Sequence, residues 1–105
     1  MRVTISHNKT QKEVMAIVDR SIDDVFKNVA VGMIQVSDQK KSWNENTMKF
    51  SLLVKAGFIS APIQGTVLVT DKDVTVDADL GLFDKLISQD KARNAIESSV
   101  KGLLA

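Results

Sequence analysis

The sequence contains no cysteine and no tyrosine, and only one histidine, one tryptophan and one proline. Without cysteine there is no disulfide framework and no thiolate to bind a metal. One histidine and no thiol cannot assemble a typical zinc site. Any histidine base would have to be His7. A large excess of charge of either sign is also missing: 14 Lys+Arg stand against 13 Asp+Glu, for a net charge of +1. That balance argues against a nucleic-acid partner, because proteins that hold polyanions carry clustered basic charge. No uninterrupted apolar run approaches the roughly 20 residues of a membrane helix. The segment Met1–Asn8 lacks the apolar core of a signal peptide. The expectation is a cytoplasmic protein with no membrane span. The five glycines form neither a G-x-G-x-x-G nor a P-loop, and no G-x-S-x-G is present.

What remains is ordinary globular material. The chain has 105 residues and is 44% hydrophobic, which suits one domain spanning residues 1–105. Val3, Ile5 and His7 alternate with Arg2, Thr4 and Ser6 and predict a short strand. Thr10 and Glu13 form a capping box, so a helix should start near Gln11. Its apolar face is Val14, Val18, Ile22, Val25 and Val29, with Met15 and Phe26 flanking and Asp19, Asp23 and Asp24 on the opposite side. Gly32 is the expected stop. Ile34 and Val36 predict a second short strand that turns polar through Asp38 to Ser42. Asn44-Glu45-Asn46 reads as a turn, since Asn tolerates left-handed backbone angles.

Met48, Phe50, Leu52 and Val54 alternate with polar residues up to Gly57 and predict a half-buried strand. Ile59, Ala61, Ile63, Gly65, Val67 and Val69 predict the next. Pro62 cannot donate a ladder hydrogen bond, which places it at an edge or a bulge. Asp71-Lys72-Asp73 is a hairpin turn, and Val74, Val76, Ala78 and Leu80 complete the last strand before Gly81. A short helix is expected near Leu82–Ile87, then a break at Ser88-Gln89-Asp90, where Ser and Asp favour caps, then a helix to Leu104. A single bent helix is the competing reading. The fold class is α+β, β-α-β-β-β-β-α, a curved antiparallel sheet packed against two helices.

Candidate chemistry is sparse. His7 reads either as a base or as a structural residue closing the first strand. Asp77 and Asp79 share a face and form either a carboxylate pair or the solvated side of a strand. Ser88-Gln89-Asp90-Lys91 fits S-x-x-K by pattern alone. A more distinctive set is Trp43, Leu53, Phe58, Leu68, Leu82 and Phe83, apolar residues off the main alternating stripe or close to its end. They form either a second apolar surface for a partner or a flank covered by the C-terminal helix.

Trp43, the Met48-x-Phe50-Ser51 strand, Ile63-x-Gly65-x-Val67-x-Val69, Asp73-Val74-x-Val76 and Leu80-Gly81 follow in order. They end in the Ala95-Ile96-Glu97 helix and Leu103-Leu104. This succession resembles the polyhydroxyalkanoic acid system family of small bacterial proteins. The resemblance implies a reduced, START-like helix-grip fold. It also implies a non-enzymatic accessory role, tied to polyhydroxyalkanoate granules or another apolar surface or protein partner. It carries no catalytic residues, metal or cofactor. The alternative is a small helix-grip carrier for an apolar molecule or lipid. A third reading, a hydrolase or cyclase using His7 or Asp77 and Asp79, ranks below both for want of converging polar groups. A homodimer is expected, paired through the first strand or an outer strand containing Pro62.

Overall fold

The computed structural model describes residues 1–29, 34–81 and 88–105. The expected stop at Gly32, the short helix at Leu82–Ile87, and with it Leu82 and Phe83, lie outside these residues. The elements are β1 (Arg2–Ser6), α1 (Gln11–Val29), β2 (Ile34–Asn44), β3 (Thr47–Ala56), β4 (Ile59–Val69), β5 (Asp73–Asp79) and α2 (Gln89–Leu104). The order β-α-β-β-β-β-α and the α+β class are those the periodicities predict. The strands form one antiparallel sheet in the order β1-β5-β4-β3-β2. Four consecutive strands make a meander, and β1 closes on the far side of β5.

Strand alternation separates the sheet into an inner and an outer face. Val3, Ile5, Met48, Phe50, Leu52, Val54, Ala61, Ile63, Val67, Val69, Val74, Val76 and Ala78 are buried on the inner face. From α1, Val14, Val18, Ile22 and Val25 join them, and from α2, Ala92, Ile96 and Val100. Both helices therefore cover one face, α1 packing on β2, β4 and α2, and α2 on β1.

The helix starts are local chemistry. Thr10 Oγ1 accepts the Glu13 N–H at 3.2 Å and gives its own hydrogen to Glu13 Oε1 at 3.1 Å. Only half of the reciprocal box is thus made through the backbone. Ser88 is extended (φ −64°, ψ 118°) and its side chain accepts the Lys91 N–H at 3.4 Å, which makes it the N-cap of α2. An extended residue there excludes one continuous helix through Ser88, and the S-x-x-K pattern is this cap.

Pro62 corrects an expectation. Its strand, β4, is not outermost: it lies between β3 and β5. The β4–β5 ladder, however, ends at the Gln64–Asp79 pair. The first half of β4 runs on with a ladder to β3 alone. The hairpin fixes the rest. Ala56 and Ile59 flank a two-residue turn, so hydrogen-bonded and non-hydrogen-bonded pairs alternate from there, and Leu53–Pro62 falls on a non-hydrogen-bonded pair. The missing N–H of Pro62 is on the side that β5 does not reach. The proline occupies an interior strand at a position with an edge's freedom.

Candidate functional site

The structure distributes the apolar candidates over several places. Trp43 is half-buried on the inner face of the edge strand β2, paired with Met48. Leu53 and Leu68 point to the outer face, Leu53 beside Pro62 and Leu68 between Thr47 and Thr75. Leu53 lies six residues along from Thr47, roughly 20 Å. Phe58 is at the tip of the β3–β4 hairpin. The described members of the set do not form one continuous patch.

Among them Phe58 stands apart. Gly57 takes φ +62° and Phe58 does not share the left-handed region, the signature of a II′ hairpin turn with glycine first. This turn leaves the Phe58 ring fully exposed, with Ile59 behind it 40% exposed. The arm from Ile59 to Ile63 extends beyond the end of β5, by roughly 16 Å. Val54 and Ala61 within the arm are buried. The tip alone is free of the core, flanked by the exposed Lys55 and Ser60.

The position of Trp43 depends on a β-bulge. Ser37 pairs with Leu53 and Lys40 with Ser51, so Asp38 and Gln39 together oppose Leu52. Asp38 adopts φ +52°, a left-handed conformation of the kind that lets one strand carry an extra residue. The bulge shifts the alternation by one, placing Lys41 and Trp43 inward and Lys40 and Ser42 outward. Strand β2 then continues to Asn44, well beyond the short strand expected from Ile34 and Val36. The inward pair meets α1. Trp43 Nε1 donates to Asp19 Oδ1 at 2.8 Å. Lys41 Nζ lies 3.4 Å from the same oxygen and donates to the Asp19 carbonyl. Asp19, expected on the solvent side of α1, ties the helix to the sheet edge. The Trp43 hydrogen bond, and after it Lys41, hold its carboxyl below the usual aspartate value against some desolvation. Helical periodicity assigned Asp19 to the polar face and carried no signal of a partner 24 residues away.

The catalytic candidates are engaged by the fold. His7 Nε2 is 2.8 Å from the Thr70 carbonyl, and Nδ1 accepts the Lys9 N–H at 3.2 Å. These partners require the tautomer with hydrogen on Nε2. Asp77 Oδ2 pairs with Arg2 at 2.9 Å across β1 and β5. Asp79 Oδ1 accepts the Gly81 N–H at 3.0 Å and holds that glycine at φ +55°. No group of three or more metal-ligating side chains occurs among the described residues, and no helix among them is long and apolar enough to cross a membrane. Comparison of the chain with protein-family models, curated proteins and solved structures returns no match.

Proposed function

We propose that this chain is a non-enzymatic accessory protein that docks on an apolar surface through the tip of the β3–β4 hairpin. The fully exposed Phe58 ring carries this reading. A phenyl ring held in water by a tight turn is poorly placed for the chain's own core and well placed to enter a partner. The resemblance of the sequence points to the polyester surface of a polyhydroxyalkanoate granule as that partner. The alternative role, a carrier enclosing an apolar molecule between sheet and helices, has less support. Met48, Val14, Val67, Val69 and Val74 already occupy that interior with almost no exposure.

Co-sedimentation with poly(3-hydroxybutyrate) particles tests the proposal. The wild-type protein is expected in the pellet. Phe58→Ser should weaken partition by about ten- to a hundredfold, the scale of burying one phenyl ring, at an unchanged melting temperature. Wild-type protein that stays in the supernatant, or a serine variant that pellets equally, would overturn it.

A further inference from the structure

The outer face of the sheet carries a shallow depression of about 370 Å³ lined by Lys40, Lys41, Ser42, Lys49, Ser51 and Gln64, with Phe50. The register explains its composition. Lys40 pairs with Ser51 and Ser42 with Lys49, so two lysines and two serines sit at alternate corners of a square on neighbouring strands. Gln64 on β4 adjoins Ser51 and extends the square by one amide. Lys41 and Phe50, a cross-strand pair of the inward alternation, complete the lining.

We propose that this depression binds the phosphate group of a phosphorylated small molecule or of a lipid headgroup. Three observations carry the assignment. The side chains it presents outward include two ammonium groups, two hydroxyls and an amide, and no carboxylate lines it. Lys40 and Lys49 are diagonal cross-strand neighbours with Cα atoms roughly 7–8 Å apart, a spacing from which two flexible side chains can converge on one anion. Lys40 and Lys49, like several other cations and unlike Arg2, Lys41 and Lys101, make no ion pair with a described residue, so no salt bridge must break for them to meet an anion. The outward alternation of β5 carries Asp73, Asp77 and Asp79, with Asp79 directly opposite Gln64. Of these, Asp77 is held by Arg2 and Asp79 accepts the Gly81 N–H. The bulge at Asp38 and Gln39 is what turns Lys40 and Ser42 outward, so the constellation exists only through a left-handed aspartate. This site is separate from the hairpin tip and does not rest on its role. One phosphate also needs no excess of basic charge over the whole chain.

Titration with inorganic phosphate, followed by backbone amide NMR, tests the site. Saturable shifts are expected at residues 40–42, 49–51 and 64, and not with chloride at equal ionic strength. Lys40→Gln and Lys49→Gln should each weaken binding about two- to fivefold, the upper range for losing one exposed charge contact. Lys55→Gln, outside the square, should leave it unchanged. These positions are exposed, and unaltered melting temperatures will show that the variants fold. Vesicles of phosphatidylcholine with phosphatidic acid separate the two sources. A lipid ligand predicts co-sedimentation that either lysine variant reduces; a small-molecule ligand predicts phosphate binding without vesicle binding. Absence of saturable shifts at the square, or equal shifts at Lys91 and Lys101 on α2, would overturn the proposal.

Discussion

Phe50 lies against Gly65, its cross-strand partner on the inner face of the sheet. A Cβ added at Gly65 would stand 2.5 Å from Phe50 Cζ and would also collide with the Asp77 backbone carbonyl. The glycine is there because a phenyl ring and a neighbouring strand both occupy the space a side chain needs. Gly65→Ala should destabilise the protein by about 1–3 kcal/mol, the usual range for overpacking a core. A carbonyl in the sheet ladder cannot move aside as a side-chain tip can, so the upper end is expected. A urea midpoint that does not fall would refute this.

Asp19 gives the stability a pH dependence of known sign. Its folded pKa is depressed, chiefly by the Trp43 hydrogen bond and then by Lys41. Its contribution is therefore full above the unfolded value of 3.8 and is lost as pH falls through the lower, folded value. The carboxylate is half exposed, which holds the effect to about 1 kcal/mol or less. Asp19→Asn should remove part of the acid-side loss of stability between neutral and strongly acidic pH. Parallel thermal melts of the two proteins, in low and high salt, would show it. Superimposable acid limbs would count against the link.

Among the described residues two non-glycines hold positive φ, Asp38 at +52° and Glu45 at +56°. Left-handed backbone disfavours a side chain, and glycine relieves that cost while adding some unfolded-state entropy. Glu45→Gly should be neutral to stabilising by about 0.5–1 kcal/mol, and Glu45→Val destabilising. The denaturation midpoint should fall for the valine variant and should not fall for the glycine variant. Asp38→Gly should keep the bulge and with it the Trp43–Asp19 bond, so tryptophan fluorescence should remain that of the parent.

His7 joins the end of β1 to the Thr70 carbonyl and to the Lys9 N–H. Replacement by alanine should cost about 1–2 kcal/mol, the scale of two lost hydrogen bonds, one to each ring nitrogen. Nitrogen NMR of the neutral imidazole should place its hydrogen on Nε2 and none on Nδ1. Hydrogen on Nδ1 would contradict the bonding described.

Much of the fold was legible because its signals are local. The alternation from Met48 to Val54 and from Ala61 to Val69 assigned inward side chains correctly, since period two follows from the pleat alone. Thr10 and Ser88 began helices and Gly57 ended a strand for reasons contained in a few adjacent residues, whereas β5 ends at Asp79, short of the Leu80 that the alternation had included. Phe58 entered the apolar set from sequence, but its full exposure did not: that required knowing how far β4 outruns β5. The lysine–serine square was not legible, because Lys40 and Lys49 become neighbours only through the pairing of β2 with β3.

By itself the sequence determined the elements, their order, the inward stripe and the scarcity of nucleophile and base. These follow from composition and from periodicities that a chain segment expresses without distant partners. Tertiary structure decided the rest. It admitted one extra residue at Asp38, which reversed the faces of Lys40 to Asn44 and brought Trp43 and Lys41 to Asp19. It also let Pro62 sit in an interior strand by ending β5 early. Register is a property of two strands together, and a shift of one residue exchanges the face of every side chain beyond it. No reading of β2 alone could fix which of its residues face the core.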